Sequence, residues 1–351
     1  MIVLIVLLAL LLPSHGTHAR APSSFFGVSL GSPDINGVDL SRMHHARVKE
    51  AHWTLFWPGI EAVNDHFNWS GPDRLIGKLA SKGIRLMPVL YGSPSYAAPT
   101  QQTPPLGSAS AKNEWSEFVR YAVLRYGPGG AYWTHGYRQK YPGHRAKPIK
   151  EWQVWNEPNL DSYFQPKASP SKYAELLRIS HDAIKGADPK AKVILAGMPA
   201  YARIRSWTFL SRLYGQGVKR YFDAAAAHPY APTLRYQARA IRRMRAVMNH
   251  HGDRQTPLWI TELGWGSAHP DRFGLNKGIK GQKRFLIKSF RLVLHHRKRW
   301  KIQRLFWFEW RDLDPNRPPG YCSGSLCGSG GLFKFNQTPK PSWHAFLRFS
   351  R

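Results

Sequence analysis

Short apolar runs alternate with longer amphipathic segments along most of the chain. Apolar runs of this length predict buried strands, and apolar residues that repeat at helical spacing predict helices between them. The predicted strands are 25–30, 53–57, 84–90, 149–155, 192–197, 222–227, 258–261 and 302–308. The predicted helices are 40–50, 73–81, 114–126, 171–185, 207–214, 234–250, 282–299 and 342–349. Because each helix carries the chain back to start a parallel strand, eight such units predict an α/β fold, a single (β/α)8 TIM barrel.

One domain over residues 22–351 accounts for this pattern, since no linker, repeat or low-complexity tract divides it. Residues 91–113 and 311–332 each follow a predicted strand. They are therefore expected at the C-terminal mouth of the barrel, where the active sites of this fold lie. Residues 127–148 precede a strand instead, so we expect them to cover the opposite face.

The first residues predict export. An apolar run at 2–12 is followed by Pro13 and small residues, as in a secretory signal, here assigned to residues 1–21. No Lys or Arg precedes the run, and an N-terminal anchor is the alternative. We expect a secreted, monomeric protein without a transmembrane segment. In an oxidising environment Cys322 and Cys327 could form a disulfide, with two free thiols as the alternative.

The chain is strongly basic, with 51 Lys and Arg against 21 Asp and Glu and a formal net charge of +30. Such an excess could bind nucleic acid or an acidic polymer. Within 239–250 and 283–291, however, basic residues flank apolar positions at helical spacing, which indicates solvated outer faces of helices. No nucleic-acid-binding motif accompanies them, so we expect no nucleic-acid partner, and a polyanion site remains the alternative. The mouth of the barrel should then be less positive than the net charge suggests.

Two glutamates end predicted strands. Strand four runs into Asn156 and Glu157, and strand seven runs into Glu262. In a closed eight-stranded barrel these strands are three positions apart, so the two carboxylates should face each other across the mouth. Two opposed carboxylates, one protonated and one ionised, are what cleavage of a glycosidic bond requires. Exposed carboxylates in surface ion pairs are the alternative.

These segments carry a family resemblance. The sequence WNEPN at 155–159 with ITELGW at 260–265 resembles the clan of retaining glycoside hydrolases built on (β/α)8 barrels, most nearly families 39 and 5 (cellulase-like). RYGPGG at 125–130, HPY at 228–230 and WRD at 310–312 fit the same resemblance, which extends over most of the chain. It implies retaining hydrolysis of a glycan substrate, without a metal or an organic cofactor.

The resemblance gives each matching polar residue a role. Glu157 would be the acid/base and Glu262 the nucleophile, and Asn156 would bind the sugar 2-hydroxyl. Tyr230 and His228 would bind substrate or lie beside strand seven, where the tyrosine hydroxyl could keep the nucleophile ionised.

Aromatic residues are the other candidate sugar contacts. Trp310 would offer its ring face to the sugar, and Trp265 could stack on a sugar or belong to the core. The same two alternatives apply to Trp53, Trp57, Tyr91, Tyr96, Tyr163 and Phe164. Glu309 is a rival carboxylate. Because neighbours on a strand point to opposite sides, Glu309 and Trp310 cannot both face the pocket.

One position departs from the family pattern. Where relatives have an arginine near the end of strand two, the register through Trp57 and Glu61 places His52. Either a histidine there makes the stabilisation of the nucleophile's charge depend on pH, or the alignment slips. The competing function is a non-catalytic carbohydrate-binding barrel at the cell surface, which would keep the aromatic residues and lose the paired carboxylates.

Overall fold

The computed structural model describes residues 21–316, 326 and 328–351. Nearly all of the predicted signal segment 1–21 lies outside the described residues, and so do Cys322 and Cys327. The signal and the disulfide therefore stay predictions.

Eight parallel strands form one sheet, in the order β5-β4-β3-β2-β1-β8-β7-β6. The strands are β1 (Phe26–Ser29), β2 (Glu50–Phe56), β3 (Arg85–Tyr91), β4 (Glu151–Val154), β5 (Lys192–Ile194), β6 (Ala225–Ala227), β7 (Leu258–Leu263) and β8 (Ile302–Trp307). The two ends of the sheet meet where Leu195 N–H donates to the Ala224 carbonyl at 3.0 Å, next to an isolated bridge between Ile194 and Ala224. The sheet thus curls into a barrel, and the predicted (β/α)8 fold is confirmed.

Helices surround the barrel. They are α1 (Gly37–His45), α2 (Trp57–Ile60), α3 (Ser70–Ser81), α4 (Ala109–Tyr126), α5 (Ala131–Thr134), α6 (Gly136–Lys140), α7 (Pro170–Ala187), α8 (Ser206–Gly215), α9 (Leu234–His250), α10 (Gly278–Trp300) and α11 (Pro341–Ser350). All eight predicted helices are present. The short helices α2, α5 and α6 lie in connections, and the apolar pattern does not predict them.

The boundary between α1 and β2 differs from the prediction. Helix α1 ends at His45, not at residue 50, because Arg47 adopts the left-handed conformation with φ 54° and the Val48 N–H turns back to the Met43 carbonyl at 3.0 Å. Strand β2 therefore begins at Glu50, three residues before the predicted start. The apolar pattern misses this start because Glu50, the first residue of β2, is charged.

The barrel interior contains an apolar cluster that is separate from the core between sheet and helices. It consists of Met87, Ile194, Ala224, Ala226, Trp259 and Phe306. The buried polar side chains of the barrel strands include Ser29, His52, Gln153 and Thr261. These polar residues connect the strands to the site described below.

The basic residues of α9 lie mostly on its outer face, where Arg239, Arg242 and Arg243 are exposed. The interpretation as a solvated face fails at Arg245, which is buried and donates to the Trp300 carbonyl at 3.0 Å. No helix in the described part of the chain has both the length and the hydropathy needed to cross a membrane.

Candidate active site

Two glutamates from opposite sides of the barrel approach one histidine. Nδ1 of His228 lies 2.8 Å from Oε1 of Glu157 and 3.5 Å from Oε2 of Glu262. The three ligand atoms of this group all lie within 4.8 Å of one another. The glutamate side chains are 11% and 15% exposed, and that of the histidine is 0% exposed. The structure thus brings together the two carboxylates that the sequence places at the ends of β4 and β7.

The backbone after β4 is held in an uncommon conformation. Trp155 and Glu157 both have positive φ, 67° and 44°, a region that non-glycine residues rarely adopt. The buried Trp155 ring anchors this turn by donating from Nε1 to the Tyr163 carbonyl at 2.8 Å, and the Glu157 N–H donates to the Gly197 carbonyl at 3.1 Å. Strained backbone of this kind is concentrated at functional sites, which supports a role for Glu157.

Gly197 is required by the close approach of His228. A Cβ atom at residue 197 would lie 1.9 Å from Nε2 of the imidazole. Any other residue would displace the ring from the two carboxylates.

An irregularity in β7 lets neighbouring residues serve the same site. The pairing register with β8 shifts between Ile260 and Leu263. Regular alternation would send adjacent side chains to opposite sides, and a bulge relaxes that rule. Thr261 Oγ1 therefore reaches His228 Nε2 at 3.0 Å while Glu262 reaches the mouth.

Tyr230 donates a hydrogen bond to Glu262. Its hydroxyl lies 2.8 Å from Oε2 of the carboxylate, as the sequence analysis expects. Burial raises the pKa of Tyr230 well above its ordinary value, and the negative charge of Glu262 raises it further. The hydroxyl therefore keeps its proton and favours the ionised form of Glu262.

A buried chain of hydrogen bonds runs from β2 to His228. His52 Nε2 lies 2.7 Å from Gln153 Oε1, and Gln153 Nε2 lies 3.0 Å from the Leu195 carbonyl and 3.3 Å from Thr261 Oγ1. Since Gln153 Nε2 has two acceptors, its Oε1 accepts the proton of His52 Nε2. Thr261 Oγ1 accepts a hydrogen bond from the Gln153 amide. Its own hydroxyl proton is then free to be donated to His228 Nε2.

This chain sets the tautomer of His228. With Nε2 accepting from Thr261, the single proton of the neutral imidazole lies on Nδ1, which donates to Glu157. Burial lowers the pKa of His228, so the ring is neutral. The two carboxylates therefore face one neutral donor rather than a cation.

Burial raises the pKa of both glutamates, to about 8 for Glu157 and about 7 for Glu262. For Glu262, the hydrogen bond from Tyr230 offsets part of this rise. Glu262 therefore ionises first and Glu157 keeps its proton longer, as expected for a nucleophile and an acid.

Asn156 and two tyrosines complete the surroundings. Asn156 is partly exposed beside Glu157. The Tyr91 hydroxyl is buried and has no hydrogen-bond partner among the described residues. Burial raises its pKa, and the charges of Tyr163 and Glu157 add to the effect, which places all three groups close together. The sequence analysis names Tyr91 and Tyr163 as candidate sugar contacts, and both lie near Glu157.

Two predicted sugar contacts are corrected by the structure. The Trp310 ring is 2% exposed, packs against Phe333 at 4.9 Å between centroids, and donates from Nε1 to Asp39 at 3.0 Å. Trp265 is completely buried and donates to the Ala231 carbonyl at 2.9 Å. Packing against loops and helices therefore buries Trp265 completely and leaves little of the Trp310 ring exposed.

The structure also gives His228 a role different from the predicted substrate contact. Its side chain is fully buried and binds Glu157 and Thr261, so it supports the carboxylates instead of binding substrate directly. Glu309 approaches the start of the β1 loop, where a Cβ at Gly31 would lie 1.7 Å from Oε2. Glu309 is completely buried, which leaves Glu262 as the accessible carboxylate.

His52 does not lie beside the nucleophile. It is buried between Gln153 and Ser29, at 2.7 and 3.2 Å, and burial lowers its pKa to about 3. It is thus neutral over the working range, and the expectation of a pH-dependent imidazole near Glu262 is wrong. His52 is linked to the site through Gln153, and through Ser29, whose hydroxyl donates to the Thr261 carbonyl at 3.4 Å.

The described residues contain two groups of three potential metal ligands. One is the site itself, Glu157, His228 and Glu262, and the other is Glu61 with Asp65 and Glu114. In the first group the Nδ1 proton of the neutral imidazole occupies the position where a metal would need a lone pair. A metal bound there would have to displace that proton, because an imidazole nitrogen coordinates through its lone pair.

The charge around the site is balanced locally. No Lys or Arg nitrogen of the described residues lies within 4 Å of the carboxylate of Glu157 or Glu262. Two cations on the mouth loops lie in ion pairs: Arg203 with Asp161 at 2.8 Å and Lys340 with Asp312 at 2.6 Å. The expectation of a mouth less positive than the net charge stays a prediction.

The tautomer assignment predicts the effect of Thr261→Val. This change removes the hydroxyl without changing the size of the side chain, so His228 Nε2 loses its donor and the Nδ1 proton is no longer fixed. We expect activity to fall about tenfold, the equivalent of one hydrogen bond. Nitrogen-15 NMR, with His228→Asn to assign the signal, should show a protonated Nδ1 in the parent and mixed tautomers in the variant. Thr261→Ser keeps the hydroxyl and should keep the tautomer. A parent signal from protonated Nε2 would contradict the assignment.

The sequence matches a family model described as glycosyl hydrolase catalytic core over residues 130–326. None of the curated proteins compared with the chain matches it.

Solved structures with the same fold include three glycoside hydrolase family members. A family 39 glycoside hydrolase from Bacteroides cellulosilyticus WH2 superposes with a TM-score of 0.69 at 18% identity, covering 94% of this chain and 64% of that one. A monomeric beta-xylosidase from Caulobacter crescentus CB15 gives 0.65 at 20% identity, over 93% and 69%. A GH5_18 protein from Streptomyces cattleya, solved with Manb1-4GlcNAc, gives 0.66 at 14% identity, over 93% and 79%.

At these identities the likeness shows the fold, and the chain spans less than two thirds of the length of the Bacteroides protein. The family match shows more than the fold, because the matched residues 130–326 are more than half of the 351 residues. The family 39 and family 5 structures have the same barrel fold as this chain. This chain belongs to the glycosyl hydrolase catalytic core family.

Proposed function

We propose that the protein hydrolyses O-glycosidic bonds of a glycan by a retaining double displacement, with Glu157 as acid/base and Glu262 as nucleophile. The observation that carries the proposal is the shared His228 Nδ1, 2.8 and 3.5 Å from the two carboxylates. One oxygen of each carboxylate lies within 4.8 Å of the other. Retaining enzymes hold their carboxyl groups about 5 to 5.5 Å apart, whereas inverting enzymes need about 6.5 to 9.5 Å for a water molecule. The short separation supports retention.

The environments of the two residues support the division of roles. In the first step Glu262 attacks the anomeric carbon while Glu157 gives its proton to the leaving oxygen. In the second step Glu157, now ionised, removes a proton from water, which attacks the sugar and releases Glu262. Asn156 beside Glu157 is the candidate donor to the sugar 2-hydroxyl. We also propose that the protein is secreted, as residues 1–21 predict.

Two conservative variants separate the roles. Glu262→Gln has no nucleophile, so activity should fall for every leaving group. Glu157→Gln should still form the glycosyl-enzyme from an aryl glycoside with a good leaving group, because little protonation is needed. Water then lacks a base, so the intermediate should accumulate after a burst of aryl alcohol. Azide, which needs no base, should restore turnover.

The measurement is mass spectrometry of Glu157→Gln with a panel of activated aryl β-glycosides, including xylosides and mannosides. An adduct on Glu262 supports the assignment. An adduct on Glu309, or equal losses in both variants for all leaving groups, contradicts it. A protein that binds glycans from the panel but turns over none is the non-catalytic barrel.

The pKa values predict a bell-shaped pH dependence of kcat/KM. Activity should fall below about pH 7, where Glu262 is protonated, and above about pH 8, where Glu157 is ionised. Tyr230→Phe removes a hydrogen bond that favours ionised Glu262, so the acidic limb should move to higher pH while the alkaline limb stays. Initial rates across pH 5 to 10 provide the test. A shift of the alkaline limb alone would mean that Tyr230 acts on Glu157.

The buried acid should also reduce stability at high pH. The pKa of Glu157 rises from 4.5 to about 8 on folding, so the folded state holds its proton more tightly and stability is lost as pH rises between these values. Glu157→Gln has no proton to lose. Its free energy of unfolding should exceed that of the parent by an amount that grows to roughly 4 kcal/mol near pH 8 and then levels off. Urea unfolding at several pH values measures this, with the half-exposed Glu175→Gln as a matched control. A constant difference across pH would contradict the burial of an acid.

A further inference from the structure

A basic depression lies on the barrel face opposite the active site. Its volume is about 730 Å³, and it is formed between the start of β3, the residue before β4 and the segment that contains α6. Its cationic lining residues are Arg85, Arg138, Arg145, Lys147 and Lys150. The sequence from 118 to 150 contains no Asp or Glu, so this segment brings positive charge without a counter-charge of its own.

These cations are not neutralised by neighbours. Arg85, at the floor, lies 3.7 Å from Glu50 and 4.0 Å from Glu151. Among the described residues, none of the other four cations lies within 4 Å of a carboxylate. The depression therefore presents four cations without a carboxylate partner within 4 Å among the described residues.

The depression also crowds like charges together. Lys147 is only partly exposed, and its pKa is lowered by burial and then by the charges of Arg145, Arg85 and Lys49. Holding these cations side by side costs free energy, which a bound anion would offset. Guanidinium groups also make paired hydrogen bonds with sulfate, phosphate and carboxylate oxygens.

We propose that this depression, the basic-face site, binds the anionic groups of an acidic glycan, and that it holds the polymer while the mouth works on the opposite face. The ligand chemistry is an oxyanion on a sugar chain, either sulfate or carboxylate. Binding would not require the catalytic glutamates. The choice of a glycan rests in part on the proposed function, so binding is measured without turnover.

The shape of the site favours a sugar chain over nucleic acid. A depression of about 730 Å³ is in the usual range for ligand pockets. Proteins that bind single strands present exposed aromatic faces to the bases, whereas Tyr137 in this lining is fully buried. Duplex DNA is bound by a basic stripe along a face or a helix in a groove, and α6 has only five residues.

Two triple variants with the same change in charge test the proposal. Arg138→Gln, Arg145→Gln and Lys147→Gln remove three cations from the basic-face site. Arg239→Gln, Arg242→Gln and Arg243→Gln remove three from the exposed face of α9. Affinity for dextran sulfate is measured at several salt concentrations, all on a Glu262→Gln background so that no glycan is consumed. Neutral dextran serves as the uncharged control.

We expect the basic-face triple to lose at least tenfold in affinity and to show a shallower salt dependence, and the α9 triple to change less than twofold. In the active protein, the basic-face triple should hydrolyse an aryl glycoside at the parent rate, because the site lies on the other face. The same loss measured with polygalacturonate would identify carboxylate as the ligand group, and a loss confined to dextran sulfate would identify sulfate. Either result supports the site.

Three outcomes overturn the proposal. Equal losses in both triples would show that only net charge matters, and no loss in either would show that the polymer binds elsewhere. Duplex DNA that binds as tightly as dextran sulfate, with the same loss in the basic-face triple, would make the site a nucleic-acid surface. Circular dichroism checks the fold of each triple, and the single exposed change Arg145→Glu gives an independent variant with the same expected direction.

Discussion

The site depends on one imidazole N–H that stands between two buried carboxylates. If both carboxylates were ionised at this distance, they would repel each other strongly. Little solvent reaches them, and no Lys or Arg nitrogen among the described residues lies within 4 Å. Neutral His228 donates to Glu157 and Tyr230 donates to Glu262, and neither donor carries a positive charge that would offset the repulsion. The pair therefore holds one proton and one charge near neutral pH. An arginine in place of the imidazole would ionise both groups and remove the acid.

The rest of the interior follows from keeping that imidazole neutral and oriented. Gly197 leaves room for the ring, and Thr261 supplies the proton that Nε2 accepts. Gln153 orients the Thr261 hydroxyl, and His52 orients the Gln153 amide. Each of these groups is buried and satisfied by the next, because an unpaired polar group in the barrel would cost about as much as a lost hydrogen bond. The polar residues inside the barrel are thus one connected network.

The sequence was sufficient to predict all eight strands, the eight main helices and the two glutamates, because strand length, helical spacing and strand-end position are local features. It could not assign Trp265 and Trp310 correctly. Whether an aromatic ring faces a sugar or a helix depends on which loops pack behind it, as Phe333 and Asp39 do behind Trp310. The link from His52 to His228 was equally out of reach, since it joins β2, β4, β6 and β7 through contacts of long sequence separation.

The pKa values of the two glutamates depend on their immediate surroundings and not on the charge of the protein surface. A net charge of +30 would lower the pKa of any carboxyl exposed to the whole field, yet burial raises the pKa of Glu157 and Glu262. Exposed charges are screened within about 8 to 10 Å at ordinary salt, and Arg203 and Lys340 on the mouth loops are held in ion pairs. The proton on Glu157 is therefore controlled by its immediate neighbours and not by the helices outside. Because of this isolation, cations on the far face of the barrel can change without altering the acid–base pair, so the surface charge is free to serve binding.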